Sequence, residues 1–207
     1  MYLKWKIRDI NSITQAEYEL ALNNMNPKRK DRILKFRFED DVRRSVAGDI
    51  LIKELLEEYL QTDKTNIRIV NKENGKPFIE NSNMQISISH CSNFCAAAIC
   101  DIPCGIDVEV IRPVNLKIIK KICSDKEKEY IFTHEPENDE YSTTNDKEIL
   151  TRFFKIWTIK EASTKCTGIG LKGISNTNAL PFLEKSREID GVVLSIITQE
   201  DLNRIQK

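Results

Sequence analysis

With 207 residues, the chain is long enough to bury a substantial core and fits one domain or two small ones. Its 32 basic and 32 acidic side chains cancel, which excludes a global field for nucleic acid or an anionic membrane as the basis of function. The opening Met1-Tyr2-Leu3-Lys4-Trp5-Lys6 is too charged for a signal peptide, and no apolar run is long enough to span a membrane. A cytoplasmic chain with reduced cysteines is therefore expected, with neither nucleic acid nor membrane as partner.

The extended opening gives way to helical signals and to a basic block: Lys28-Arg29-Lys30, Arg32, Lys35, Arg37, Arg43 and Arg44. That block suits a small polyanion or, equally, a solvated helix surface. Asp40 or Asp41 is expected to cap a long helix in which Val42, Val46, Ala47, Ile50, Leu51, Leu55, Leu56 and Tyr59 recur at helical spacing. Gly48, inside this pattern, marks a close approach of another segment or a ligand. Ile67 to Val70 is a short strand and Asn74-Gly75-Lys76-Pro77 a turn. Gln85-Ile86-Ser87-Ile88-Ser89-His90 alternates as a half-buried strand does, and the apolar run Phe94 to Cys100 reads as a central strand.

Past Pro103, Gly105-Ile106-Asp107-Val108-Glu109 places two carboxylates on one face of a strand. After Pro113 the chain turns helical, with a capping box at Ser124-Asp125-Lys126-Glu127. Glu135 to Lys147 reads as a polar loop, with His134 beside it as a solvated residue. Phe153 to Cys166 is an amphipathic helix stopped by Gly168, and Val192 to Ile197 is a late strand. This mixture of hairpins and single helices indicates an α+β fold. A boundary near Pro103 divides residues 1–103 from residues 104–207. No repeat is visible in the sequence.

Several chemistries drop out. Gly168-Ile169-Gly170-Leu171-Lys172-Gly173 matches the dinucleotide fingerprint but follows a helix instead of a strand, so it reads as a loop. Cys91, Cys95, Cys100 and Cys104 lack paired zinc spacing. Cys95 and Cys100 look like apolar fillers of a buried strand. No Ser-His-Asp or Cys-His set stands out, and His90 alone reads as a turn residue.

What remains is two acidic segments. Asp107 and Glu109 are two apart on a strand, while Glu161 and Lys165 are four apart on a helix, on one face. Singly, these are an exposed edge and a surface ion pair. Together, three carboxylates without His or Cys suit a hard, oxygen-loving cation, Mg2+.

Gly105 to Glu109 followed by Trp157-Thr158-Ile159-Lys160-Glu161-Ala162-Ser163-Thr164-Lys165 resembles the two-part signature of the 4′-phosphopantetheinyl transferase superfamily, Sfp type. Arg43 to Gly48, Gly75-Lys76-Pro77 and Ile88-Ser89-His90 agree with its weaker upstream motifs. The resemblance runs from about residue 28 to residue 173. It implies a pseudo-dimer of two similar α+β halves with the active site in the cleft between them. The first half would bind the nucleotide of coenzyme A and the second would hold the metal and the catalytic groups.

Residue by residue, the resemblance implies that Asp107, Glu109 and Glu161 hold Mg2+ and that Lys165 neutralises the diphosphate. Lys28, Arg44, Lys76, Ser89 and His90 would meet the nucleotide and its 3′-phosphate, with Gly75 and Pro77 shaping the turn beneath the adenine. A serine of an apo acyl or peptidyl carrier protein would attack the β-phosphate, with Glu161 as base, and 3′,5′-ADP would leave a monomeric enzyme. Cys91 stands where the family often has a second serine, and Asp31 where a lysine is expected, so Arg32 or Lys30 would substitute. Two other readings are a non-catalytic coenzyme A or nucleotide-binding protein and a Mg2+-dependent diphosphate hydrolase. Intact Glu161 and Lys165 speak against the first, and no hydrolase motif supports the second.

Overall fold

A long helix packs against a three-stranded sheet twice along the chain. The computed structural model describes residues 1–61, 66–72, 75–132 and 142–205. The chain divides into two compact units, Met1–Cys104 and Gly105–Lys207.

The first unit contains β1 (Leu3–Asp9), α1 (Gln15–Asn23), α2 (Pro27–Ile33), α3 (Glu39–Leu60), β2 (Ile69–Asn71), β3 (Pro77–Ile79), β4 (Gln85–Cys91) and β5 (Phe94–Cys100). Its main sheet has the order β1-β5-β4, with both pairings antiparallel. The central place of β5 follows from its sequence: Cys95 to Cys100 are all fully buried, with three consecutive alanines allowing α3 to pack against it. Gly48 of α3 meets β4, since a Cβ at that position would lie 2.8 Å from a methyl carbon of Ile88.

Two expectations need correction here. Asp40 and Asp41 do not cap α3. Phe38 holds the N-cap position without a side-chain bond, and Glu39, Asp40 and Asp41 lie in the first turn, where their charge favours the positive end of the helix dipole. In β4, Ser87 and Ser89 are as buried as Ile86, so the strand is covered on both faces there and only His90 is exposed.

The second unit contains β6 (Cys104–Val110), β7 (Val114–Asn115), α4 (Leu116–Ile122), α5 (Asp125–Ile131), β8 (Thr143–Thr144), α6 (Lys147–Thr167), β9 (Ser186–Ile189), β10 (Val192–Thr198) and α7 (Gln199–Ile205). Two 3-10 turns, Leu171–Asn176 and Leu180–Lys185, follow α6. The sheet has the order β6-β10-β9, and α6 packs on β10. Ser124 and Glu127 form the expected capping box. Gly168, at φ +77°, ends α6 with its N–H on the Thr164 carbonyl. That helix starts six residues before Phe153, because Asp146 accepts from the N–H groups of Glu148 and Ile149. Part of the expected polar loop is thus ordered, with β8 paired to β7. Its residues 135–141 and His134 lie outside the described residues.

Both units follow one path: a first strand, a long helix, then a hairpin whose second strand pairs with the first. The architecture is α+β. The repeat invisible in the sequence is present in the topology.

Candidate active site

Strand β6 and helix α6 meet backbone to backbone at Gly105. A Cβ there would lie 1.9 Å from the Ala162 carbonyl oxygen and 2.7 Å from the Cys166 nitrogen. Any side chain would push strand and helix apart. Because they touch here, Asp107 and Glu109 on the strand come to stand by Glu161 and Lys165 on the helix.

Asp107 is only 4% exposed, which excludes a solvent-facing edge carboxylate. Lys165 donates to its Oδ1 at 2.7 Å and to the Ile106 carbonyl at 3.2 Å. More than a surface pair with Glu161 therefore holds this lysine. Glu109 accepts from Trp157 Nε1 at 3.3 Å and from Arg112 at 2.6 Å. Burial first, then the charge of Asp107 and more weakly that of Glu109, push the Glu161 carboxyl up to about 7 from an ordinary 4.5, against the pull of Lys165.

Among the described residues, no three His, Cys, Asp or Glu side chains are grouped closely enough to enclose a metal ion by themselves. The three carboxylates are within electrostatic reach of one another, which acts over longer distances than ligation. Lys165 pairs with Asp107 and Arg112 with Glu109, and the shortage of positive charge falls on Glu161. This set fits Mg2+ in its usual mode, which takes one or two carboxylates and completes its shell with water and substrate phosphates.

The nucleotide candidates fall into two groups in the first unit. Arg44 donates to the Ser92 carbonyl at 3.3 Å and to Asp41 at 2.7 Å, which holds it against the β4–β5 turn that follows the exposed His90. Ser89, at 5% exposure, presents little of its hydroxyl. The second group gathers on α2. Gly75 adopts φ +87°, and a Cβ there would lie 2.6 Å from the Arg32 guanidinium. The turn is closed by Gly75 N–H to the Lys72 carbonyl and Lys72 N–H to the Lys76 carbonyl. Lys28, Asp31, Arg32, Lys35 and Phe36 line one open hollow beside it. A separate, more apolar groove between α1 and α3, over Leu20, Ala21 and Ile50, contains none of these residues.

Three residues acquire a part that the sequence alone did not assign. Trp157 and Arg112 orient Glu109. Lys160, fully buried, pairs with the equally buried Glu127 at 3.0 Å and donates to the carbonyls of Ile174 and Thr177. Glu127 also accepts from Ala179 N–H at 2.9 Å. The residue next to Glu161 is thus a clamp that fixes the segment after α6. Trp157 and Lys160 were visible in the second acidic segment, but nothing in their spacing revealed these partners.

Compared with known protein families, residues 12–101 match the N-terminal domain of 4′-phosphopantetheinyl transferases. Residues 103–202 match the 4′-phosphopantetheinyl transferase superfamily. The chain belongs to the 4′-phosphopantetheinyl transferase superfamily. Sfp-type transferases are among its relatives. It is 28% identical over 160 residues to 4′-phosphopantetheinyl transferase Sfp of Bacillus subtilis, covering 77% of this chain and 67% of that protein. It is 31% identical over 147 residues to the transferase psf-1 of Bacillus pumilus, covering 70% and 59%. The mouse L-aminoadipate-semialdehyde dehydrogenase-phosphopantetheinyl transferase is 30% identical over 172 residues, covering 76% and 53%. The chain thus spans about half to two thirds of the length of these superfamily members. Among the described residues, no helix is long and apolar enough to cross a membrane.

Proposed function

We propose that this chain transfers 4′-phosphopantetheine from coenzyme A to a serine of an apo acyl or peptidyl carrier protein, in a Mg2+-dependent reaction that releases 3′,5′-ADP. The observation that carries the proposal is the gathering of Asp107, Glu109, Glu161 and Lys165 where β6 touches α6. The reading places the reaction in the cytoplasm, in a monomer.

Asp107, Glu109 and Glu161 would hold the metal together with the diphosphate of coenzyme A. Bound there, Mg2+ supplies neutralisation of the charge that grows on the diphosphate as it is cleaved. Lys165 adds a second positive charge to the same phosphates, from its place on Asp107. Glu161, on the helix face it shares with Lys165, is the group suited to take the proton from the attacking serine hydroxyl. The serine oxygen forms its bond to the β-phosphorus as the bond to the bridging oxygen breaks, and 3′,5′-ADP carries away the electron pair. Trp157 and Arg112 keep Glu109 aimed, so its rotamer is fixed before substrate arrives. Lys28, Arg44, Lys76 and His90 are the contacts for the nucleotide and its 3′-phosphate.

Intact mass of apo acyl and peptidyl carrier proteins, after incubation with the protein, coenzyme A and Mg2+, tests this. A gain of one phosphopantetheine on the carrier, abolished by chelation, is expected. Cleavage of coenzyme A with an unmodified carrier would replace transfer by hydrolysis. Coenzyme A binding without turnover would leave only a binding protein.

A further inference from the structure

The hairpin that carries Gly75, Lys76 and Pro77 is too small to stand alone. β2 and β3 contribute three residues each, and an isolated two-stranded hairpin is marginal in water even when longer. Its last strand pair is Asn71 and Pro77, and beyond it the turn is closed only by Lys72 N–H on the Lys76 carbonyl and Gly75 N–H on the Lys72 carbonyl. Something outside the hairpin must fix it.

The fixing groups form a buried chain. Asp49 of α3 accepts from Arg29 of α2 on both oxygens, with Nε at 2.9 Å from each and Nη2 at 2.5 Å. The side chains of Arg29 and Asp49 are 8% and 3% exposed. The remaining arm of the fork, Nη1, donates to Asn71 Oδ1 at 2.8 Å. Asn71 Nδ2 in turn donates to the Gly75 carbonyl at 2.8 Å, which ties the relay to the turn itself. On the other side of that glycine lies Arg32, which any side chain at residue 75 would displace. A buried ion pair is seldom worth more than apolar packing of the same volume. What a guanidinium supplies and a leucine does not is a rigid, directional fork.

We propose that Asp49, Arg29 and Asn71 are positioning residues that lock the Gly75–Pro77 turn in register with the basic face of α2 and with α3, and thereby set the affinity for the nucleotide end of coenzyme A. This rests on the reading above that Lys28, Arg44, Lys76 and the turn meet that nucleotide. The relay touches no substrate. It joins the helix that carries Lys28 and Arg32, the helix that carries Arg44 and the hairpin that carries Lys76, all within the first unit.

The test measures KM for coenzyme A, KM for an apo acyl carrier protein, kcat and the melting temperature in Asn71→Ala and in the double variant Arg29→Met/Asp49→Leu. Calorimetric titration of coenzyme A is run beside the kinetics. The double variant replaces the buried pair by apolar side chains, a change that proteins tolerate well. Losing one hydrogen bond of this kind is expected to raise KM and Kd for coenzyme A about tenfold. The carrier KM and kcat should stay within about twofold. A shifted melting temperature with unchanged coenzyme A affinity in both variants would make the relay purely structural and overturn the proposal. A wild-type protein that does not bind coenzyme A would instead overturn the functional reading on which it rests.

Discussion

Asp107 and Glu161 occupy neighbouring positions and are held in opposite ways, so they make separate demands on experiment. Asp107 is buried and already has Lys165 on one oxygen. Asp107→Asn preserves its shape and one acceptor but removes the charge a hard cation requires. Transfer is expected to be lost while the melting temperature moves by only a few degrees. Near-normal turnover of Asp107→Asn at modest Mg2+ would remove it from the metal site. Glu161 responds to pH instead. Its folded carboxyl is pushed up to about 7 from an ordinary 4.5 by burial and by Asp107, so the folded state holds the proton more tightly than the unfolded one. The stability this gives is fully present below about 4.5 and is lost as pH rises through about 7. Melting of the metal-free protein across that window should therefore fall more steeply for wild type than for Glu161→Gln, and parallel curves would refute the assignment. Glu161→Gln is also expected to lower kcat severely at saturating Mg2+ and coenzyme A, because an amide cannot accept the serine proton.

Between elements, the β6–α6 contact and the Lys160–Glu127 clamp are where small changes become expensive. Gly105→Ala drives a methyl group into the Ala162 carbonyl, and overpacking of this kind costs about 1–3 kcal/mol. Here the displaced strand carries Asp107 and Glu109, so activity should fall by more than the loss of folded protein explains. Lys160→Met leaves Glu127 fully buried without its cation and is expected to cost about 3–5 kcal/mol, read as a lower urea midpoint. Gly105 could be singled out in the sequence, but the reason it must be glycine lies in a helix more than fifty residues away. Spacings of two on a strand and four on a helix are fixed by backbone geometry, and so the faces of Asp107, Glu109, Glu161 and Lys165 were legible. The partners of Trp157, Arg112 and Lys160 depend on where strand, helix and following turns pack, which local periodicity does not encode. The same limit applies to boundaries. The apolar face of α6 announced itself from Phe153, while its true start at Lys147, capped by Asp146, was hidden in a polar stretch without hydrophobic period. At α3 the reverse held: acidic residues that looked like caps lie inside the first turn.

Taken whole, the chain uses one topology twice and loads the two copies with different chemistry. In the first unit the candidate groups are cationic or imidazole side chains and a glycine turn. In the second they are carboxylates with a lysine. Function should divide along the same line, with changes in the first unit moving coenzyme A affinity and changes in the second moving turnover. Arg44 gives the sharpest test of that division because it is already engaged. It is tied to Asp41 and to the Ser92 carbonyl, contacts that by themselves would make it a structural residue joining α3 to the β4–β5 turn. The partly buried ion pair with Asp41 is worth about 1 kcal/mol, whereas a charge-assisted bond to a phosphate is worth about 1.5–3 kcal/mol, or roughly ten- to a hundredfold in affinity. If the 3′-phosphate binds there, Arg44→Ala should raise KM for coenzyme A by that factor, leave KM for 3′-dephospho-coenzyme A near its wild-type value, and change kcat little with either. A purely structural Arg44 would weaken both substrates equally and lower the melting temperature. Steady-state kinetics with the two substrates, beside a thermal melt, separates these outcomes. Equal effects on both substrates would move recognition of the 3′-phosphate to the Lys28 and Arg32 face of α2.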